Sequence, residues 1–105
     1  MDKQIYITSL YDIYSNLLTE KQKKYFEDYY FENLSLKEIS ENYNVSRNAI
    51  HNSIKEVEEK LNYYENNLNI YEKIEKIKKI VTKIDNIQIK EEIENILWKI
   101  NNYTM

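Results

Sequence analysis

"SLKEISENYNVSRNAIHNSIKEVEEKL" (residues 35–61) decides the reading of this chain, because two helical patterns meet there across a tight turn. Ser35, followed three residues on by Glu38, forms a capping box. In that motif the serine hydroxyl accepts from the third backbone N–H, and the glutamate reaches back to the serine's own N–H. The helix so opened is expected to bury Leu36, Ile39 and Tyr43, with small Ser40 where a neighbouring helix approaches closely. Asn44 ends it, asparagine being the residue best able to replace glycine in a left-handed conformation. Val45 plugs the turn and Ser46 caps the next helix. In that helix Ile50, Ile54, Val57 and Leu61 recur as one narrow stripe, so Asn48, Asn52, Lys55 and Glu59 point away from the core. The outline is a helix-turn-helix.

Upstream, Ile7, Leu10, Tyr14 and Leu17 recur at helical spacing and predict a first helix over residues 3–17. Thr19 opens "TEKQ", a second capping box closed by Gln22, and a helix running to about Asn33. Its aromatics, Tyr25, Phe26, Tyr29 and Tyr30, read as core rather than as a stacking platform for bases.

Downstream the pattern changes. Ile70, Ile74, Ile77, Val81 and Ile84 alternate four and three apart, the spacing of a coiled-coil seam. The register then lands on Gln88, Glu91 and Asn95, while a new stripe begins at Ile89, Ile93, Ile96 and Ile100, with Trp98 beside it. The break falls at "IDNIQ", where Asp85 or Asn86 can end one helix and cap the next. Two helices, over residues 66–84 and 88–102, are expected to fold back as a hairpin. Either the hairpin closes its own core, or its apolar seam is shared with another chain. The chain thus divides into a helix-turn-helix domain, 1–64, and a C-terminal hairpin, 65–105. The hairpin is the expected self-association element, so a homodimer is expected.

Composition supports an all-α protein. The 105 residues include no glycine, no proline and no cysteine. Sheet turns with positive φ usually draw on glycine, whereas helices can end on asparagine. Lack of cysteine excludes disulfides and thiolate chemistry, and lack of glycine excludes the glycine-rich phosphate loops. No stretch approaches the roughly 20 apolar residues of a membrane span, and the N-terminus lacks a signal peptide's apolar core, so a cytoplasmic protein is expected. One histidine, His51, makes a poor metal centre, and no nucleophile–base–orienter trio can be assembled. An enzyme is not expected, nor a metal or cofactor. The net charge is −3; residues 1–60 hold eight Lys/Arg against eleven Asp/Glu, and residues 61–105 hold seven of each. Neither half is the basic patch of a strong autonomous nucleic-acid binder.

From residue 17 onward the chain resembles the YlxM family (also called p13-like) of small bacterial proteins. The resemblance is carried by "LLTEKQ" at 17–22, the "YY-E-LSL-EI" run through Ile39, "VSR-A" at 45–49 and "IK--E--L" at 54–61. It covers nearly half the chain and implies a helix-turn-helix similar to region 4 of bacterial sigma factors, the part that reads a promoter element. Asn44 stands where glycine is frequent in the family, and His51 where an aromatic is common. Family genes commonly lie beside those of signal recognition particle proteins, which implies a regulatory or accessory role in that targeting pathway, with its components as partners. By the same resemblance Arg47, Asn48, His51, Asn52 and Lys55 would face the nucleic-acid groove. The residue types suit it, arginine pairing with guanine, asparagine with adenine and lysine with phosphate. Glu56, Glu58 and Glu59 follow at once and would repel phosphates, so weak binding of DNA or RNA is expected. The alternative is a protein-binding adaptor that keeps the helix-turn-helix fold without DNA binding.

Overall fold

The computed structural model describes residues 2–101, and within them every regular element is helical. The order is α1 (Lys3–Tyr14), α2 (Glu20–Tyr30), α3 (Leu36–Tyr43), α4 (Arg47–Leu68), α5 (Ile70–Val81) and α6 (Ile87–Asn101). Both expected capping boxes form: Thr19 Oγ1 accepts from the Gln22 N–H while Gln22 Oε1 accepts from the Thr19 N–H, and Ser35 and Glu38 exchange the same pair. Asp2, which carried no such signal, caps α1 by accepting from the Gln4 N–H at 2.8 Å. The chain turns left-handed three times, at Asn33, Asn44 and Asn69, each with φ near 55°. In a chain without glycine, asparagine takes every such corner among the described residues, as its short side chain allows.

The 22-residue α4 is the axis of the molecule, and its buried stripe serves two cores. Ile50 and Ile54 pack with Ile39 of α3 and Tyr25 of α2; Val57 and Leu61 pack with Ile7, Leu10, Tyr11 and Tyr14 of α1 and Phe26 of α2. Tyrosine hydroxyls stitch these contacts at their edges. Tyr11 donates to Glu27, Tyr30 to Glu58, Tyr43 to Asp28 at 2.8 Å and Tyr14 to Glu65 at 2.6 Å, each linking two different helices. Burial first, and then these bonds to carboxylates, push the Tyr11, Tyr14 and Tyr30 hydroxyls well above the ordinary tyrosine value.

Several expectations change. Helix α1 stops at Tyr14 and tightens to a 3-10 turn over Ser15–Leu17, leaving Leu17 exposed and burying Tyr11 and Leu18 instead. Tyr43 stays at the surface, edge-on to Tyr25, and Leu36 is half-buried; only Ile39 of the expected α3 trio is fully buried. Helix α4 runs unbroken past residues 64–65 to Leu68, so the hairpin begins at Asn69 rather than at 66. The hairpin itself forms: α5 ends at Val81, and Asn86 caps α6 by accepting from the Ile89 N–H at 3.1 Å. On the surface of α5, Glu72 pairs with Lys76 and Glu75 with Lys78. Residues 102–105, the end of the expected last helix and domain, lie outside the described residues.

What joins the hairpin to the rest is a buried carboxylate. Glu65 of α4, 5 % exposed, accepts from the Tyr14 hydroxyl and from the N–H groups of Tyr71 at 3.0 Å and Glu72 at 3.2 Å. The last two are among the unpaired donors at the start of α5, where the helix dipole favours negative charge. Asn69 offers no side-chain cap there, so Glu65 caps α5 from the preceding helix.

Candidate nucleic-acid interface

The turn between α3 and α4 closes as a Schellman motif: the Val45 N–H donates to Ser40 O at 3.0 Å and the Asn44 N–H to Glu41 O. Asn44 sits at φ 56°, ψ 46°, and Val45 is half-buried against the α3–α4 core. Ser40 is buried where the two helices approach, and its hydroxyl turns back to Lys37 O. Ser46 then caps α4 by accepting from the Ala49 N–H. With Ile50 and Ile54 facing inward, the orientation of α4 about its own axis is settled.

That orientation leaves Arg47, Asn48, His51, Asn52 and Lys55 all exposed. At about 100° per residue, Arg47, His51 and Lys55 form one row and Asn48 and Asn52 the next, a single patch over the first two to three turns. None of the five side chains makes a hydrogen bond or ion pair within the described residues, although lysines elsewhere on the surface do. They project outward without an internal partner.

The acidic flank behaves differently from its sequence. Glu58 is turned inward to the Tyr30 hydroxyl, and Glu56 is held by Gln22 Nε2 at 3.2 Å and lies 3.9 Å from Lys60. Glu59 keeps an exposed carboxylate one turn beyond Lys55. Charge repulsion toward a phosphate near Lys55 therefore comes chiefly from Glu59. His51 and Lys55 also border a groove of about 780 Å³ whose lining includes Lys3 of α1 and Tyr29 of α2. Lys3 and Asp2 thus bring one charge of each sign to this side of the molecule, Lys3 across 48 residues of chain from His51, neighbours that no local pattern could have announced.

A tight, Schellman-closed turn between two capped helices, the second presenting an unpartnered polar face, defines a helix-turn-helix protein. The family model described as "Putative helix-turn-helix protein, YlxM / p13 like" matches residues 1–100, and the chain belongs to that family, UPF0122. It is similar to UPF0122 protein OB1530 of Oceanobacillus iheyensis, at 45 % identity over 80 % of each chain. It is likewise similar to UPF0122 protein FN1394 of Fusobacterium nucleatum, at 41 % identity over 92 % of this chain and 94 % of that one. A UPF0122 protein of Mycoplasma capricolum is 35 % identical over 93 % of this chain and 91 % of its own. No helix of the described residues is long and apolar enough to cross a membrane.

Proposed function

We propose that this protein is a non-enzymatic, cytoplasmic regulatory or accessory factor of the signal recognition particle pathway. In this reading it contacts nucleic acid through the start of α4 and pairs as a homodimer through its C-terminal hairpin. The observation that carries the nucleic-acid part is the patch of Arg47, Asn48, His51, Asn52 and Lys55, exposed and without internal partners on the second helix of a helix-turn-helix. Resemblance to the YlxM family supports the pathway. The net charge of −3 and the free carboxylate of Glu59 keep the contact weak, micromolar at best for DNA, so that a protein of the targeting particle supplies further affinity. The same acidity favours, as the second reading, an adaptor whose α4 surface meets protein alone.

A salt titration of binding to duplex DNA and to signal recognition particle RNA separates the two. Lys55→Ala is expected to weaken binding to all sequences alike and to lower the salt slope by about one unit. Arg47→Ala is expected to cost about 1–3 kcal/mol and to relax preference at one base position. Glu59→Gln is expected to strengthen binding more than Glu56→Gln, because Glu56 is already engaged by Gln22 and Lys60. Binding that ignores all four substitutions would establish the adaptor.

A further inference from the structure

The hairpin's apolar seam divides in two. Ile74 and Val81 of α5 are spent inside the chain, 3 % and 4 % exposed, and Leu97 of α6 is buried too. They close the hairpin onto itself and onto α1. Five isoleucines of the same two helices, Ile77, Ile80, Ile89, Ile96 and Ile100, remain between 37 and 61 % exposed.

These five lie on one flank. Ile96 and Ile100 border a hollow of about 440 Å³ together with Lys99 of α6, Ile70 of α5 and Ile13 of α1. On the opposite side of α6, Trp98 borders a second hollow with Lys78 and Thr82 of α5. At about 100° per residue, Ile77 and Ile80 fall on the Ile70 side of α5 and away from Lys78 and Thr82, while Ile89 falls in the same row as Ile96 and Ile100. The Ile70 flank is therefore a largely aliphatic surface across α5, α6 and the end of α1, with Lys99 at the border of its hollow.

From this we infer that a second copy of the chain covers the Ile77–Ile80–Ile89–Ile96–Ile100 flank, so that the dimer pairs through this flank and not through Ile74 and Val81, the buried part of the seam. The inference rests on the homodimer of the proposed function and assigns its surface. With an extended isoleucine taken as about 180 Å², the five expose roughly 450 Å² of apolar area, the size of the largest patch on a typical monomer, which is often functional. One side of a standard interface is about 800 Å², of which the apolar part is roughly 500 Å². The flank thus matches one half of a stable dimer without enlargement. Aliphatic side chains carry no donor or acceptor that a partner must satisfy, so an identical flank related by a two-fold axis is a sufficient complement. The hairpin follows the C-terminus of α4, about 30 Å along that helix from Arg47, so pairing there leaves the α4 patch open.

Every side chain in the assignment that would be tested is exposed within the chain, so charge can be introduced without opening the core. Sedimentation velocity on the full chain is expected to show a dimer at micromolar concentration. Ile80→Lys and Ile96→Lys are expected to weaken it at least about tenfold, a buried unpaired charge costing more than that factor requires. Their melts, recorded where all forms are monomeric, should match wild type. Ile87→Lys, on the Trp98 side of α6 and 69 % exposed, should leave the dimer intact. A dimer that resists Ile80→Lys and Ile96→Lys but yields to Ile87→Lys would overturn the flank while keeping the homodimer. A chain monomeric at all concentrations would overturn both, as would a monomer that instead binds phosphatidylglycerol vesicles through the flank.

Discussion

Glu65 shows how one residue decides the placement of a whole element. Its carboxylate takes a hydroxyl from α1 and two backbone N–H groups from α5, so three helices share one buried acceptor. Removing it strands the Tyr14 hydroxyl and two part-buried N–H donors, and a buried unsatisfied polar group costs about 1–3 kcal/mol. Glu65→Ala is accordingly expected to destabilise the chain by about 2–4 kcal/mol, read from denaturant midpoints. Tyr14→Phe should cost less, because Glu65 keeps its two backbone donors. Equal losses from the two would show that the hydroxyl, and not the cap on α5, holds the junction. The tyrosine–carboxylate pairs also recast the chain's composition. Glu27, Asp28, Glu58 and Glu65 are engaged by tyrosines between helices, so part of the acidic excess is structural.

At the scale of elements, the helix-turn-helix is where local chemistry and tertiary packing agree. Asn44 occupies the left-handed corner of the Schellman turn at φ 56°, where any residue with a Cβ is disfavoured and glycine is not. Asn44→Gly is expected to leave stability unchanged or to raise it by a few tenths of a kcal/mol in a thermal melt, with the α4 patch undisturbed. A clear loss of stability would mean that the asparagine amide supports the turn in some further way. The hairpin is the contrasting case. Its heptad stripe is shared between a face that packs within the chain and a flank that does not, and substitution at Ile74 would damage the fold rather than test association.

For the molecule as a whole, the shape is long, 54 × 24 × 23 Å, because α4 carries the helix-turn-helix near its start and hands over to the hairpin at its end. Tyrosine hydroxyls hold the helices around it, and their ionisation links the whole fold to pH. Burial first, and bonding to Glu27, Glu65 and Glu58 second, raise Tyr11, Tyr14 and Tyr30 above the ordinary value of 10.0. A group whose folded-state pKa is raised contributes stability that is complete below the unfolded value and is lost as pH rises beyond it. Thermal stability is therefore expected to hold up to about pH 10 and to fall steeply above it, with these tyrosines ionising only as the protein unfolds. Spectrophotometric titration showing all eleven tyrosines ionised near the ordinary value in a folded chain would contradict this.

The amino-acid sequence alone determined the helical class, both capping boxes, the left-handed turn at Asn44, the Ile50–Ile54–Val57–Leu61 stripe and, through that stripe, that Asn48, Asn52, Lys55 and Glu59 point away from the core. All of these depend on neighbours within one or a few helical turns, and such short-range chemistry repeats with a readable period. Tertiary structure alone decided that Leu17 turns outward, that α4 continues to Leu68, that Glu65 is a cap rather than a surface charge, and that Lys3 borders the same groove as Lys55. It also decided how the isoleucines of the hairpin are apportioned between the interior and the exposed flank. Those outcomes turn on contacts between residues tens of positions apart. Periodicity finds an apolar stripe there, but only the arrival of α1 against α5 and α6 settles which part of it is covered.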